Sequence, residues 1–266
     1  MSSNQGITDK EHHRGDPPAT EEQVLPPSRT RRLIGLVGSF YMLMLAVAMG
    51  ALWLFIWLAG EVLEQEFTGL NRELLLFVNS FASPTWERLA FTFTWIGSVY
   101  GIAIITTLFG IWLLSRRRFV DVATLLVTVL GGTLLTLVLK EAFQQIRPDV
   151  FPPLAVERNF SFPSGHSLTS LCLWGFIGGW LVMQGPKEIW RWLIAAMGLG
   201  VALLVGLSRL YLGVHWPTDV VAGFLVAAFW VSCCITGQRW LLARRMRRHR
   251  RRMVAHAPHT LQDKSS

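Results

Sequence analysis

Six stretches of this chain carry no charged residue over a length that crosses, or nearly crosses, a lipid bilayer: residues 33–60, 89–115, 122–139, 167–186, 192–208 and 220–238. A helix spanning the hydrocarbon core needs about 20 apolar residues. Residues 122–139 and 192–208 are the shortest and, taken singly, also read as buried helices of a soluble protein; beside four longer windows they read as spans. Of the 266 residues, 52% are apolar and only 16% charged, which a soluble domain of this length rarely shows. The fold expected is therefore all-α: a polytopic membrane protein whose six transmembrane helices form one bundle, with no internal repeat.

The charges between the windows fix the expected topology. Arg29, Arg31 and Arg32 precede the first window, Arg116, Arg117 and Arg118 follow the second, and Lys187 and Arg191 separate the fourth from the fifth. Arg239, Arg244, Arg245, Arg247, Arg248, Arg250, Arg251 and Arg252 follow the sixth with no acid among them. Six spans put all four groups on one side, and the positive-inside rule makes it cytoplasmic, with both termini inside. The last group also has the composition of a nucleic-acid-binding run, but directly behind a membrane span it reads as an anchor, so no nucleic-acid partner is expected. Residues 1–28 are polar and read as a disordered leader, residues 29–240 as the membrane domain, and residues 241–266 as a basic cytoplasmic tail. The first window is too long for the h-region of a cleavable signal peptide.

Residues 61–88 fall on the other side and hold five acids against two bases. Within them NRELLLFVNSF has near-helical apolar spacing, and reads either as an interfacial helix or as a plain connecting helix over the bundle. Trp53, Trp57, Trp86, Trp95, Trp190, Trp216 and Trp240 lie near window ends, as an aromatic belt requires. Cys172, Cys233 and Cys234 fall inside windows without metal-ligand spacing and read as small packing residues.

The residues able to do chemistry all fall on that same non-cytoplasmic side. Lys140 and Arg147 are seven apart, two helical turns, so both can point one way, and Pro148 ends that helix. Pro163-Ser164-Gly165-His166 stands where the fourth span begins. Helix-start N–H groups there form an anion site; Gly165 allows close backbone approach and Ser164 adds a hydroxyl. Ser208 and Arg209 close the fifth span, and the arginine fork suits phosphoryl oxygens. Pro217 opens the sixth helix, which puts Asp219 in its first turn with His215 just ahead. A carboxylate there can take a hydrogen bond from one ring nitrogen of His215 and leave the other as a nucleophile or base. Each piece also has an ordinary meaning: interfacial cations, a serine N-cap, a snorkelling arginine, a helix-start acid. Two histidines, three cations and a carboxylate at one set of span ends suit a phosphate, and the membrane setting suits a lipid phosphate.

In order and spacing the chain resembles the type 2 phosphatidic acid phosphatase family, which shares its core with the vanadium haloperoxidases. The family pattern K-x6-RP, PSGH, SR-x5-H-x3-D is met at Lys140, Arg147 and Pro148, at Pro163 to His166, and at Ser208, Arg209, His215 and Asp219. The resemblance implies His215 as nucleophile, giving a phosphohistidine, with Asp219 fixing its tautomer. It implies His166 as the acid for the leaving oxygen and then the base for water. Lys140, Arg147, Arg209, Ser164 and Gly165 would hold the phosphoryl oxygens. No metal and no cofactor is expected, since fixed cations supply the charge and no carboxylate cluster stands ready for an ion. A bell-shaped pH profile follows from a neutral His215 and a protonated His166.

The function expected is an integral-membrane lipid phosphatase of the plasma (inner) membrane. Its site would face the periplasm or exterior and hydrolyse a lipid phosphate or diphosphate such as undecaprenyl diphosphate, phosphatidylglycerophosphate or phosphatidic acid. A lipid phosphotransferase would carry the same residues. A membrane transport or scaffold protein with a vestigial site is the non-enzymatic alternative, against which the intact motif positions stand. Vanadate-dependent haloperoxidase chemistry is disfavoured by the six spans. The connection 149–162 is short and leaves little room for a large lid.

Overall fold

The computed structural model describes residues 29–184 and 188–255, with side chains described for 38–184 and 188–246. The expected leader 1–28 lies outside these, as do the side chains of Arg247, Arg248, Arg250, Arg251 and Arg252. The chain divides into two units, Met1–Gly38 and Ser39–Ser266, and every contact described lies within the second.

Among the described residues all regular structure is helical: α1 Arg29–Leu63, α2 Thr68–Asn79, α3 Pro84–Ile96, α4 Val99–Ser115, α5 Phe119–Phe143, α6 Gly165–Met183, α7 Ile189–Tyr211 and α8 Pro217–Ala255. Five of these are long and apolar enough to cross a membrane, and the α3–α4 pair makes a sixth span if it is counted as one. That pair is bent by 52°, where a single uninterrupted helix was expected over 89–115. The break has a local cause. Ser98 is extended and its Oγ accepts from the Gly101 N–H at 3.2 Å, an N-cap that starts a new helix. Gly97 beside it lies so close to α7 that a Cβ would stand 2.2 Å from Val205 Cγ1.

α6 is the axis of the molecule, packing against α4, α5, α7 and α8. Lipid tails are as apolar as a leucine side chain, so helices in a bilayer associate by close packing rather than by escape from solvent, and small residues allow it. Gly132 of α5 meets Cys172 of α6 in this way, a Cβ there falling 2.6 Å from the sulfur. Cys172 is buried, as the packing reading expects, whereas Cys233 is exposed and Cys234 intermediate; all three are free thiols. Leu130, Leu134, Leu137 and Leu193 face outward, where lipid would cover them.

The short helix α2 is amphipathic and is tied to the start of α8. Buried Asn71 donates to Thr218 Oγ1 at 3.0 Å and accepts from the Thr218 N–H at 3.3 Å. Its opposite side leaves Leu70, Leu74 and Phe77 exposed, the pattern of a helix lying at an interface. Six of the seven belt tryptophans are well exposed; Trp216 is not, and donates from Nε1 to the Ile146 carbonyl at 3.0 Å. α8 runs without interruption through residue 240 to Ala255, so the start of the basic tail is a continuation of the last helix.

Candidate active site

The C-terminal ends of α5 and α7 meet the N-terminal ends of α6 and α8 at one end of the bundle. Three of these four helix ends carry the charge their dipole favours: Lys140 in the last turn of α5, Arg209 in the last turn of α7, and Asp219 in the first turn of α8. The start of α6 has no acid in its first turn. The starts of α6 and α8 are stitched together by the Ser164 N–H, which donates to the Asp219 carbonyl at 3.0 Å. Gly223, one turn into α8, permits this approach, since a Cβ there would stand 2.7 Å from the Ser164 oxygen.

His215 is almost wholly buried and its two nitrogens face different groups. Nδ1 lies 3.2 Å from Asp219 Oδ2 and 3.3 Å from Ser161 Oγ. Nε2 lies 3.4 Å from the Arg147 guanidinium. A proton on Nδ1, donated to the carboxylate, leaves the Nε2 lone pair directed at the cation set. Asp219 is held in turn: its Oδ2 accepts from Ser161 Oγ and from the Trp216 N–H at 2.8 Å, while the buried Oδ1 has no partner among the described residues. Burial, followed by the nearby Arg209, Arg147 and Lys140, holds the His215 pKa well below the ordinary imidazole value, so the ring is neutral at neutral pH.

Arg147 does not share a helix with Lys140, as the seven-residue spacing led one to expect. α5 ends at Phe143, and Gln144 turns the chain in the left-handed region with φ 48°. The two cations converge all the same on the segment before the PSGH motif. Lys140 Nζ donates to the Phe160 carbonyl; Arg147 donates to the Asn159 carbonyl at 2.8 Å, to Asn159 Oδ1 at 2.6 Å, and to the Val214 carbonyl. Burial lowers the Arg147 pKa from its usual value and Glu157 and Asp219 partly restore it; the guanidinium stays cationic. Arg209 is buried, donating to Thr94 Oγ1 and to Glu157, with its Nε unpaired among the described residues. Glu157 also stands 3.9 Å from Arg147, so one carboxylate bridges both arginines.

Lys140, Arg147, Glu157, Asn159, Gly165, His166 and His215 line one cavity of about 490 Å³. Its walls continue between α4 and α5 past Ile102, Leu126, Val129 and Leu130, so a charged head is continuous with an apolar cleft. Ser164 stands apart from the lining. It is fully buried at the start of α6, and its Oγ accepts from Ser167 Oγ at 3.0 Å. Sequence reasoning missed Glu157, Asn159, Ser161 and Thr94, which no motif marks; the polar content of the connection 149–162 was the available signal. Among the described residues no group of three or more His, Cys, Asp or Glu side chains is gathered as a metal site.

A bundle of membrane-length helices brings two histidines, two cations and a helix start to one cavity, with Arg209 buried behind its lining and tied to Glu157. Such a set is suited to an oxyanion. Comparison with known proteins gives the family. A sequence profile described as PAP2 superfamily matches residues 121–242. The chain is 33% identical over 169 residues to an undecaprenyl-diphosphatase of Sulfolobus acidocaldarius, covering 62% of this chain and 76% of that protein. It is 45% identical over 106 residues to phosphatidylglycerophosphatase B of Bacillus subtilis, covering 38% of this chain and 50% of that protein. The chain thus spans half the length of that relative. The crystal structure of a transmembrane PAP2 type phosphatidylglycerolphosphate phosphatase from Bacillus subtilis superposes with a TM-score of 0.69 at 27% identity, covering 73% of this chain and 96% of that one. The chain belongs to the PAP2 superfamily and is an integral membrane protein.

Proposed function

We propose that the protein is a lipid phosphatase that hydrolyses a lipid phosphate or diphosphate through a phosphohistidine on His215. The observation that carries this is the polarity of His215, with Nδ1 on the buried Asp219 and Nε2 toward Arg147. The Nε2 lone pair attacks phosphorus, a P–N bond forms and the P–O bond to the lipid breaks. His166, lining the same cavity, gives its proton to the leaving oxygen. His166 then takes a proton from water, whose oxygen attacks phosphorus and breaks the P–N bond, returning neutral His215 and free phosphate. Lys140, Arg147, Arg209 and the helix-start N–H at Gly165 meet the charge that moves onto the phosphoryl oxygens. These cations do the charge neutralisation a metal would otherwise do, so activity is expected to survive a chelator.

The apolar continuation of the cavity between α4 and α5 supports a lipid over a soluble phosphoester, because a tail can rest there while the phosphate enters the cation set. The relatives' names fit this class and vary in the lipid. The distribution of arginines supports a site on the non-cytoplasmic face of the plasma membrane with both termini inside. The test is phosphate release in detergent from a panel of lipid monophosphates and diphosphates. Wild type should turn over at least one of them and His215→Ala none, at matched purity and thermal stability. Wild-type rates in His215→Ala would overturn the reading.

A further inference from the structure

The end of the bundle away from the histidines holds a second charged cavity, of about 370 Å³. It is formed where the α4–α5 turn meets the ends of α6 and the extension of α8, and Arg117, Arg118, Arg239 and Arg245 line it. Its floor is Asp121, a buried carboxylate with every oxygen in use. Oδ2 accepts from Trp180 Nε1 at 3.0 Å and from Arg118 at 3.2 Å, and Oδ1 accepts from Gln238 Nε2 at 2.6 Å. Arg118 is therefore neutralised. Arg117, Arg239 and Arg245 form no ion pair among the described residues, so the cavity keeps an excess of positive charge. Arg239 is folded inward, donating to the Met183 carbonyl at 3.3 Å.

Gln238 supplies a second and different requirement. It is 3% exposed, it gives its amide to Asp121, and its buried Oε1 has no partner among the described residues. A buried acceptor left unpaired carries an uncompensated desolvation cost, which a donor entering the cavity would recover. An amide flip offers no escape, since it would turn Oε1 against the carboxylate. The cavity thus asks for an anion to sit on the arginines and a hydroxyl to reach Gln238. Phe119, Val120 and Leu242 complete its walls with apolar surface.

We propose that this cavity binds the headgroup of an anionic phospholipid bearing a free hydroxyl, of the phosphatidylglycerol kind, as a bound lipid distinct from the substrate. The phosphodiester sits between Arg117, Arg239 and Arg245, the headgroup hydroxyl donates to Gln238 Oε1, and the acyl chains lie outside against Phe119. Basic pockets between membrane helices are apt for such headgroups. A bound lipid would clamp α5, α6 and α8, the helices that carry Lys140, His166 and Asp219 at their far ends.

The experiment needs no activity and is independent of the proposed phosphatase reaction. Thermal unfolding of the full chain in a mild detergent is followed while phosphatidylglycerol, phosphatidylcholine or inorganic phosphate is added. Phosphatidylglycerol should raise the melting temperature at concentrations where the other two do not. The double variant Arg117→Gln/Arg245→Gln changes only exposed side chains and should need about 10-fold more lipid for the same shift, as expected for a lost charge-assisted contact. Arg239→Gln should weaken the response further, and Arg209→Gln at the other end should leave it intact. Equal shifts with phosphatidylcholine, or with inorganic phosphate, would overturn the assignment to an anionic lipid. A shift lost in Arg209→Gln but kept in the double variant would place the lipid in the catalytic cavity and overturn the site.

Discussion

Two buried aspartates, one at each end of the bundle, are used in opposite ways. Asp121 has both oxygens paired, one of them with a cation, and joins α5 to α6 and α8. Asp219 has one oxygen shared by His215, Ser161 and the Trp216 N–H, while among the described residues the other is unpaired and no lysine or arginine pairs with it. A carboxylate whose task is to hold helices together can be fully satisfied. Asp219, proposed to orient the imidazole, directs its paired oxygen to that ring and its supports, and the nearest guanidinium, Arg147, stands on the other side of His215 at Nε2. Both residues stand in the first turn of a helix, α5 and α8, so position alone does not separate them.

Substituting each aspartate by asparagine breaks or sharpens this contrast. Asp219→Asn presents an amide donor to Nδ1 and favours the wrong tautomer, so turnover should fall about 1,000-fold or more with little change in melting temperature. Asp121→Asn should do the reverse. It loses the Arg118 ion pair and mismatches Trp180 or Gln238, costing about 1–3 kcal/mol of stability, with turnover of the folded protein changed less than about threefold. Equal losses of turnover in the two variants would erase the distinction. Lipid phosphatase assays beside thermal unfolding measure both quantities.

A smaller effect is expected at Glu157, which pairs with Arg209 and stands 3.9 Å from Arg147, the two arginines proposed to hold phosphate. Glu157→Gln removes a competing negative charge. Inhibition by the product phosphate should tighten by roughly 3–10-fold with a smaller change in kcat, consistent with a charge-assisted contact passing to the ligand. Weaker phosphate inhibition would mean that Glu157 instead serves to position Arg209.

The smallest effect is in pH dependence. In the proposed reaction neutral His215 is the reactive form, and burial together with Arg209, Arg147 and Lys140 holds its pKa below the ordinary value. Activity should therefore persist below the pH at which a free imidazole protonates, and fall only at lower pH. Arg147→Gln removes one of the cations that depress the pKa, so the acid limb of the residual activity should move upward. A limb that stays in place would argue that it belongs to another group.

Much of this arrangement is legible in the chain, for reasons that can be named. Charge-free windows mark helices because charges are costly in lipid. Five of the six windows each fall on one membrane-length helix, and the window 89–115 falls on the bent pair α3–α4. The residues of the three motifs converge because each stands at a span end on one side, where alternating helices must meet. The break at Gly97 and Ser98 was missed because neither residue carries charge, and an apolar window does not register a helix restart. Arg147 was placed on the α5 helix because residue spacing does not reveal the left-handed turn at Gln144. Ser164 reads as a phosphate donor by its motif, yet its hydroxyl is turned toward Ser167. Glu157 and Ser161 lie in an irregular connection, where no periodicity says which side chains turn inward. Asp121 and Gln238 are 117 residues apart, and their pairing is visible only once α5 and α8 are packed.

The central claim is that His215 carries the phosphoryl group, and it is tested most directly by trapping the intermediate. The protein is mixed with a lipid phosphate labelled at phosphorus, quenched within one turnover and digested under alkaline conditions that preserve phosphohistidine. The account predicts an acid-labile label on His215, absent from His215→Ala and prolonged in His166→Ala, where the base for water is gone. Turnover at the wild-type rate in His215→Ala, or a label found on a different residue, would contradict it.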